Sequence, residues 1–141
     1  MYKTLLVPID IGDVETAGPA LDRAVALADG SNGTIRLIHV RSLVPVAYME
    51  FVPATFDLEQ QRDAESRLAD LAASVAFPAE RISTVVRLGS VYNEVLQEAE
   101  TTGSDLIVVG SHRPTMATYL LGSNASAIVR HATCSVLVVR P

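Results

Sequence analysis

Five short apolar runs alternate with segments of helical spacing, and that alternation leaves few folds open to this chain. The runs are Thr4–Ile9, Thr34–Arg41, Arg81–Leu88, Leu106–Val109 and Ser135–Val139. Between them lie Thr16–Asp29, Leu58–Ala76, Val91–Thr101 and Ala125–His131. In the first of these, Ala17, Ala20, Leu21, Ala24, Val25, Leu27 and Ala28 stand at helical spacing, and Gly30 is expected to stop it. Ser90 stands where it can cap the third. Pro8 lacks a ladder donor, so pairing of the first strand should end there. Strands joined through helices imply right-handed βαβ crossovers, hence a parallel sheet with helices on both faces. A chain of 141 residues with this single alternation reads as one domain spanning 1–141.

In an open parallel sheet ligands bind at the carboxyl ends of strands, where the winding reverses. The sequence does not fix the strand order. If the reversal follows the third strand, the fourth lies beside the first. Pro8-Ile9-Asp10 then faces Val109-Gly110 across a crevice. The stretch after that glycine is the most suggestive in the chain. It runs Gly110-Ser111-His112-Arg113-Pro114 and resumes with Leu121-Gly122-Ser123-Asn124-Ala125 at the head of the last helical pattern. Gly110 lets backbone approach a ligand closely. Gly122-Ser123, with Ser123 as expected N-cap, opens a helix whose unpaired N–H groups and dipole favour phosphate.

Several chemistries are excluded. Lys3 is the chain's one lysine and precedes the first strand, so the Gly-Lys-Ser/Thr of a P-loop is missing. The loop Asp10-Ile11-Gly12-Asp13 lacks Gly-x-Gly-x-x-Gly, which disfavours a dinucleotide-binding domain. A phospho-receiver needs an aspartate ending strand three and a lysine ending strand five, and neither is present. The net charge of −5 argues against nucleic acid as partner. Cys134 alone can form neither an internal disulfide nor a cysteine metal cluster. Charged or turn residues interrupt every apolar run short of a membrane span, and the opening Met1-Tyr2-Lys3-Thr4 shows no signal-peptide pattern. A cytoplasmic location without membrane contact is the expectation.

The opening Leu5-Leu6-Val7-Pro8-Ile9-Asp10 resembles the universal stress protein family. So does the ending Ile107-Val108-Val109-Gly110-Ser111-His112-Arg113, Leu120-Leu121-Gly122-Ser123, Val129-Arg130-His131-Ala132 and Cys134–Val139. The resemblance covers essentially the whole chain, and Ser-His-Arg-Pro with Tyr-Leu-Leu-Gly-Ser-Asn-Ala is similar to its F and G subgroup. It implies a three-layer α/β/α, open-twisted, five-stranded parallel sheet in the order 3-2-1-4-5, Rossmann-like and adenine-nucleotide α-hydrolase-like. It also implies ATP as ligand, with Mg2+ as a companion that Asp10 would help hold. The implied nucleotide site comprises Pro8, Ile9, Asp10, Val40, Gly110, Ser111, His112, Arg113, Gly122, Ser123, Asn124 and Ala125. In it Asp10 sits by the ribose, Val40 offers backbone to adenine, and the Gly110–Asn124 loop takes phosphate and ribose. The family's pattern is Gly-x2-Gly-x9-Gly-Ser/Thr. Here Arg113 replaces the second glycine and the spacing to Gly122 is one residue shorter. Arginine can obstruct a close backbone approach, yet it can also grip phosphate oxygens bidentately.

The resemblance further implies a homodimer through the last strand, Val136–Val139, compatible with a higher oligomer and with a protein partner it does not identify. An exposed apolar edge strand invites such pairing. Hydrolysis or autophosphorylation, where present, should be slow, since no general base is evident. A regulator acting through protein contacts alone is the competing function. The segment Ser42–Asp57, with Val44, Val46, Tyr48, Met49, Phe51, Val52 and Phe56, is too apolar for a plain connection. It either folds back on the domain, covers the adenine pocket as a flap, or meets another subunit. His39 reads as a satisfied structural histidine, His131 as a helix end and Cys134 as inert.

Overall fold

The structure, a computed structural model, describes residues 1–111 and 121–141. Its strands are β1 (Thr4–Pro8), β2 (Thr34–Arg41), β3 (Ile82–Leu88), β4 (Leu106–Gly110) and β5 (Ser135–Val139). Its α-helices are α1 (Gly18–Ser31), α2 (Phe56–Ser74), α3 (Val91–Thr102) and α4 (Ser123–His131). All strand pairs are parallel and the order is β3-β2-β1-β4-β5. The chain therefore winds outward from β1 to β3, then returns to place β4 on the other side of β1. That reversal opens a crevice between the carboxyl ends of β1 and β4.

Alternation along the central strands divides the core in two. Leu5, Val7, Ile35 and Leu37 point to the α1/α2 side, where Ala24, Ala28 and Leu68 meet them. Leu6, Ile38, Val40 and Ile107 point to the α3/α4 side, against Val95, Ala99, Ala125 and Ile128. Burial on both faces accounts for the near-continuous apolar reading of β1 and β4.

Polar residues inside β2 each have a partner. Arg36 reaches across to Glu98 on α3, with Nε 2.9 Å from Oε2, although the angle falls short of a hydrogen bond. Arg41 donates to Gln61 and Asp57 of α2, each at 2.8 Å. His39 Nδ1 lies 2.9 Å from the Ile9 carbonyl oxygen. These side chains lock β2 to both helical layers and to the end of β1.

Helix ends depart from the sequence reading in instructive ways. Gly30 does not stop α1; the helix continues to Ser31 and ends at Asn32, which takes the left-handed conformation at φ 57°. Asparagine tolerates that region, and its N–H returns to the Ala28 and Asp29 carbonyls. The glycine that matters is Gly33. A Cβ there would lie 2.8 Å from the Lys3 carbonyl oxygen, which accepts the Thr34 N–H that aligns β2 on β1. Ser90 is the N-cap of α3 but makes no side-chain capping bond. Ser123 is not an N-cap: α4 begins at Ser123 and Gly122 occupies the cap position, extended at φ −60° and ψ 157°. The helix therefore starts two residues earlier than the Ala125 expected from its apolar pattern.

The segment after β2 does not fold back on the sheet layers. It forms a 3-10 turn at Val46–Phe51 with no buried residue. Val46 is 85% exposed and Phe51 76%, and Tyr48 and Met49 are exposed with them. No helix among the described residues is long and apolar enough to cross a membrane.

Candidate functional site: a cleft at the strand reversal

A cleft of about 580 Å³ opens where the winding reverses. Its walls come from the exit of β1, the end of β2, the end of β4 and the first turn of α4. Of the residues singled out in the sequence, Pro8, Ile9, Asp10, Val40, Gly110, Ser111, Gly122, Ser123, Asn124 and Ala125 all line it. His112 and Arg113 lie outside the described residues. The topology brings the rest together from chain positions more than a hundred residues apart.

The β1 exit is a tight turn whose polar groups are individually held. Asp10 Oδ1 accepts the Gly12 N–H at 2.9 Å, and the Asp10 carbonyl accepts the Asp13 N–H at 3.0 Å. The Ile11 carbonyl accepts Arg67 Nη2 from α2 at 2.8 Å. This is an Asx turn, as aspartate after a strand favours. It commits one oxygen of Asp10 to the backbone; Oδ2 has no hydrogen-bond partner among the described residues.

Opposite stands the α4 terminus. Gly122 in the cap position offers no side-chain acceptor, so the first N–H groups of α4 take no capping bond from it. With basic residues only in the last turn, Arg130 and His131, α4 keeps the positive end of its dipole at the cleft. At Gly110 a Cβ would meet the Thr16 carbonyl oxygen at 3.5 Å, an ordinary contact. Packing therefore does not require that glycine, and what its absent side chain leaves open is the approach from the cleft.

The cleft also contains residues the motif did not mark. Asp13 and Thr16 follow Asp10, joined by a 2.6 Å bond from Thr16 Oγ1 to Asp13 Oδ2. Val91 and Val95 of α3 form an apolar wall beside Val40. His39 and Arg41 stand at the end of β2. Only the alternation of β2 hinted at these two: each is a polar residue beside buried apolar ones in that strand. Cys134 is half-buried and outside this cleft. Burial pushes its thiol up, with Asp105 adding a smaller push the same way. A raised folded value stabilises the thiol form fully below the unfolded value and is lost as pH rises through the folded one. Cys134 is therefore expected to alkylate with iodoacetamide more slowly in the native protein than in urea-unfolded protein, with its rate profile displaced to higher pH. Equal profiles in both states would contradict this.

A parallel sheet in this order, with a cleft at the reversal walled by an aspartate turn, a glycine strand end and a helix N-terminus entered through Gly122, defines a Rossmann-type α/β fold. The universal stress protein family model matches residues 1–140, and the chain belongs to that family. Universal stress protein G of Escherichia coli O157:H7 is 39% identical over 143 residues, covering 99% of this chain and 100% of the relative. Among solved structures, the universal stress protein UspA from Lactobacillus plantarum superposes with a TM-score of 0.74 at 24% identity, covering 99% of this chain and 98% of that one. A universal stress protein solved in complex with cAMP superposes with a TM-score of 0.63 at 23% identity, covering 98% and 97%.

Proposed function

We propose that this universal stress protein binds ATP in the cleft and acts as a nucleotide-dependent regulator, with at most slow hydrolysis or autophosphorylation. The observation that carries this reading is the convergence of Asp10, Val40, Gly110 and the α4 N-terminus on one cavity. The chemistry of the walls is graded as a nucleotide is. Val40, Val91 and Val95 supply an apolar end for a base. Asp10 Oδ2 can accept from ribose hydroxyls. Gly110, Ser111 and the first N–H groups of α4 suit phosphate. That another protein of this fold holds cAMP, an adenine nucleotide, accords with the assignment.

Mg2+ fits as a companion of the phosphates. The described residues contain no group of three or more His, Cys, Asp or Glu able to cage a metal. Mg2+ needs no such cage, since it keeps waters and binds through one or two carboxylates plus phosphate. Asp10 is the carboxylate we assign to it. Asp10 and His39 each have an atom engaged with backbone, which suits regulation by occupancy better than rapid turnover. We further assign β5 as the dimer contact: it is the sheet edge, and Val136, Leu137 and Val138 on it are half-buried. The exposed turn with Val46, Tyr48 and Phe51 is the surface we assign to an as yet unidentified protein partner.

Titration calorimetry with ATP and Mg2+ tests the reading. Wild-type protein should give a saturable heat. Asp10→Ala should weaken binding about tenfold, as expected for loss of one charge-assisted hydrogen bond of about 1.5 kcal/mol. No heat with wild-type protein at high micromolar concentration would leave the competing function, a regulator acting by protein contacts alone.

A further inference from the structure

His39 is a polar residue on the α1/α2 face of β2, directly beyond Ile35 and Leu37 in the alternation. Its Nδ1 faces the Ile9 carbonyl oxygen at 2.9 Å, and the Ile11 N–H approaches the same nitrogen at 3.4 Å. A ring nitrogen cannot serve both. At 2.9 Å from a carbonyl it must carry the hydrogen, so Nδ1 donates to Ile9 and the Ile11 contact is the long, secondary one. The Ile9 N–H is itself held by the Ile38 carbonyl at 2.7 Å. Both backbone groups of Ile9 are thus fixed from β2, immediately before Asp10. On the far side, Arg67 holds the Ile11 carbonyl.

We propose that His39 is the positioning residue for Asp10: by donating from Nδ1 to the Ile9 carbonyl it fixes the direction in which the Asp10 carboxylate enters the cleft. This rests on the nucleotide reading, since Asp10 is given its role there. The role belongs to Nδ1 and to geometry, not to bulk. Asparagine places an amide N–H close to where Nδ1 stands, whereas glutamine places it near Nε2 and leucine has none.

The experiment is a set of variants read by two methods. In ligand-free wild-type protein, long-range 1H–15N spectra of the imidazole should show His39 protonated at Nδ1. ATP affinity by calorimetry should fall at least tenfold in His39→Leu and in His39→Gln, and stay within about threefold of wild type in His39→Asn. In an Asp10→Ala background, His39→Leu should cost less than twofold, because a residue that acts through Asp10 has nothing left to position. Amide shifts of Ile9–Gly12 should move in His39→Leu while those of β4 and β5 stay put, which separates a local effect from misfolding. A bare Nδ1, an Asn variant as weak as the Leu variant, or an undiminished cost in the Asp10→Ala background would overturn the proposal. Absence of ATP binding by wild-type protein overturns the nucleotide reading instead; the imidazole and amide spectra then still decide whether His39 holds the turn.

Discussion

Replacing Leu37 with alanine is expected to destabilise the protein by about 3 kcal/mol, the middle of the range for a fully buried leucine. Leu37 is 0% exposed. It stands in β2 between Val7 of β1 and Thr84 of β3, the registers that carry the sheet from its centre to its edge. Its side chain enters the core formed with Ala24, Ala28 and Leu68. The alanines there cannot swing inward to fill the space, so most of the cavity should persist. Of the longer side chains in that core, Leu68 comes from α2 and can relax toward it. Thermal melting should show a drop on the order of 10 °C for a chain of this size. A loss under about 1 kcal/mol would mean that α2 closes onto the sheet, and that the layer is softer than its packing implies. Leu88→Ala, at the exposed end of β3, is the matched control and should be within about 0.5 kcal/mol of wild type.

Such buried strand positions were the most legible part of the sequence. Short apolar runs with helices between them admit hardly any arrangement but a parallel sheet, and the bounds of β2 and β5 follow directly from where the apolar pattern stops. The helix ends were less legible, because local propensity competes there with tertiary demands. Gly30 looked like the terminator of α1, yet Asn32 takes the left-handed position and Gly33 is reserved for the close approach to Lys3. Ser123 looked like a cap, but the chain enters α4 through Gly122. In the cleft, the residues of the glycine motif were visible because small residues at a strand end and at a helix entry leave room for close approach. His39 and Arg41 were not, since a single polar residue in a strand does not announce which neighbour it serves. For the Val46–Phe51 turn the apolar residues left three placements open, on the domain, over the adenine pocket or against another subunit, and in this chain they stand exposed.

The ion-pair cluster between β2, β3 and α3 was also invisible in sequence, being assembled from residues seven to sixty-two positions apart. Glu98, 4% exposed, is its centre. One oxygen lies 2.9 Å from Arg36 Nε and the other accepts Arg87 Nη1 at 2.9 Å. Arg87 also donates to Glu94 at 2.8 Å and Gln97 at 3.1 Å. Those bonds, to Glu94 first and Glu98 second, raise the Arg87 guanidinium above the ordinary arginine value. A raised value stabilises the charged form while its carboxylate partners are ionised, so the contribution of Arg87 is constant across the neutral range and falls away as pH rises into the strongly alkaline range. Glu98→Leu is expected to cost about 2 kcal/mol in chemical denaturation. Breaking a wholly buried pair costs about 3–5 kcal/mol, but the Arg36 and Arg87 side chains are 34% and 26% exposed and can regain water. Glu98→Gln keeps an acceptor and should lose about half as much. Added salt up to about 0.5 M should leave the difference nearly unchanged, because Glu98 is shielded from solvent. A neutral or stabilising Glu98→Leu would show that apolar packing replaces the cluster, as it does for some buried ion pairs. The cost has a functional side. α3 carries Val91 and Val95 into the cleft on the same helix that Glu94 and Glu98 anchor to β3 and β2, so the pairs that hold the helix also set the apolar wall beside Val40.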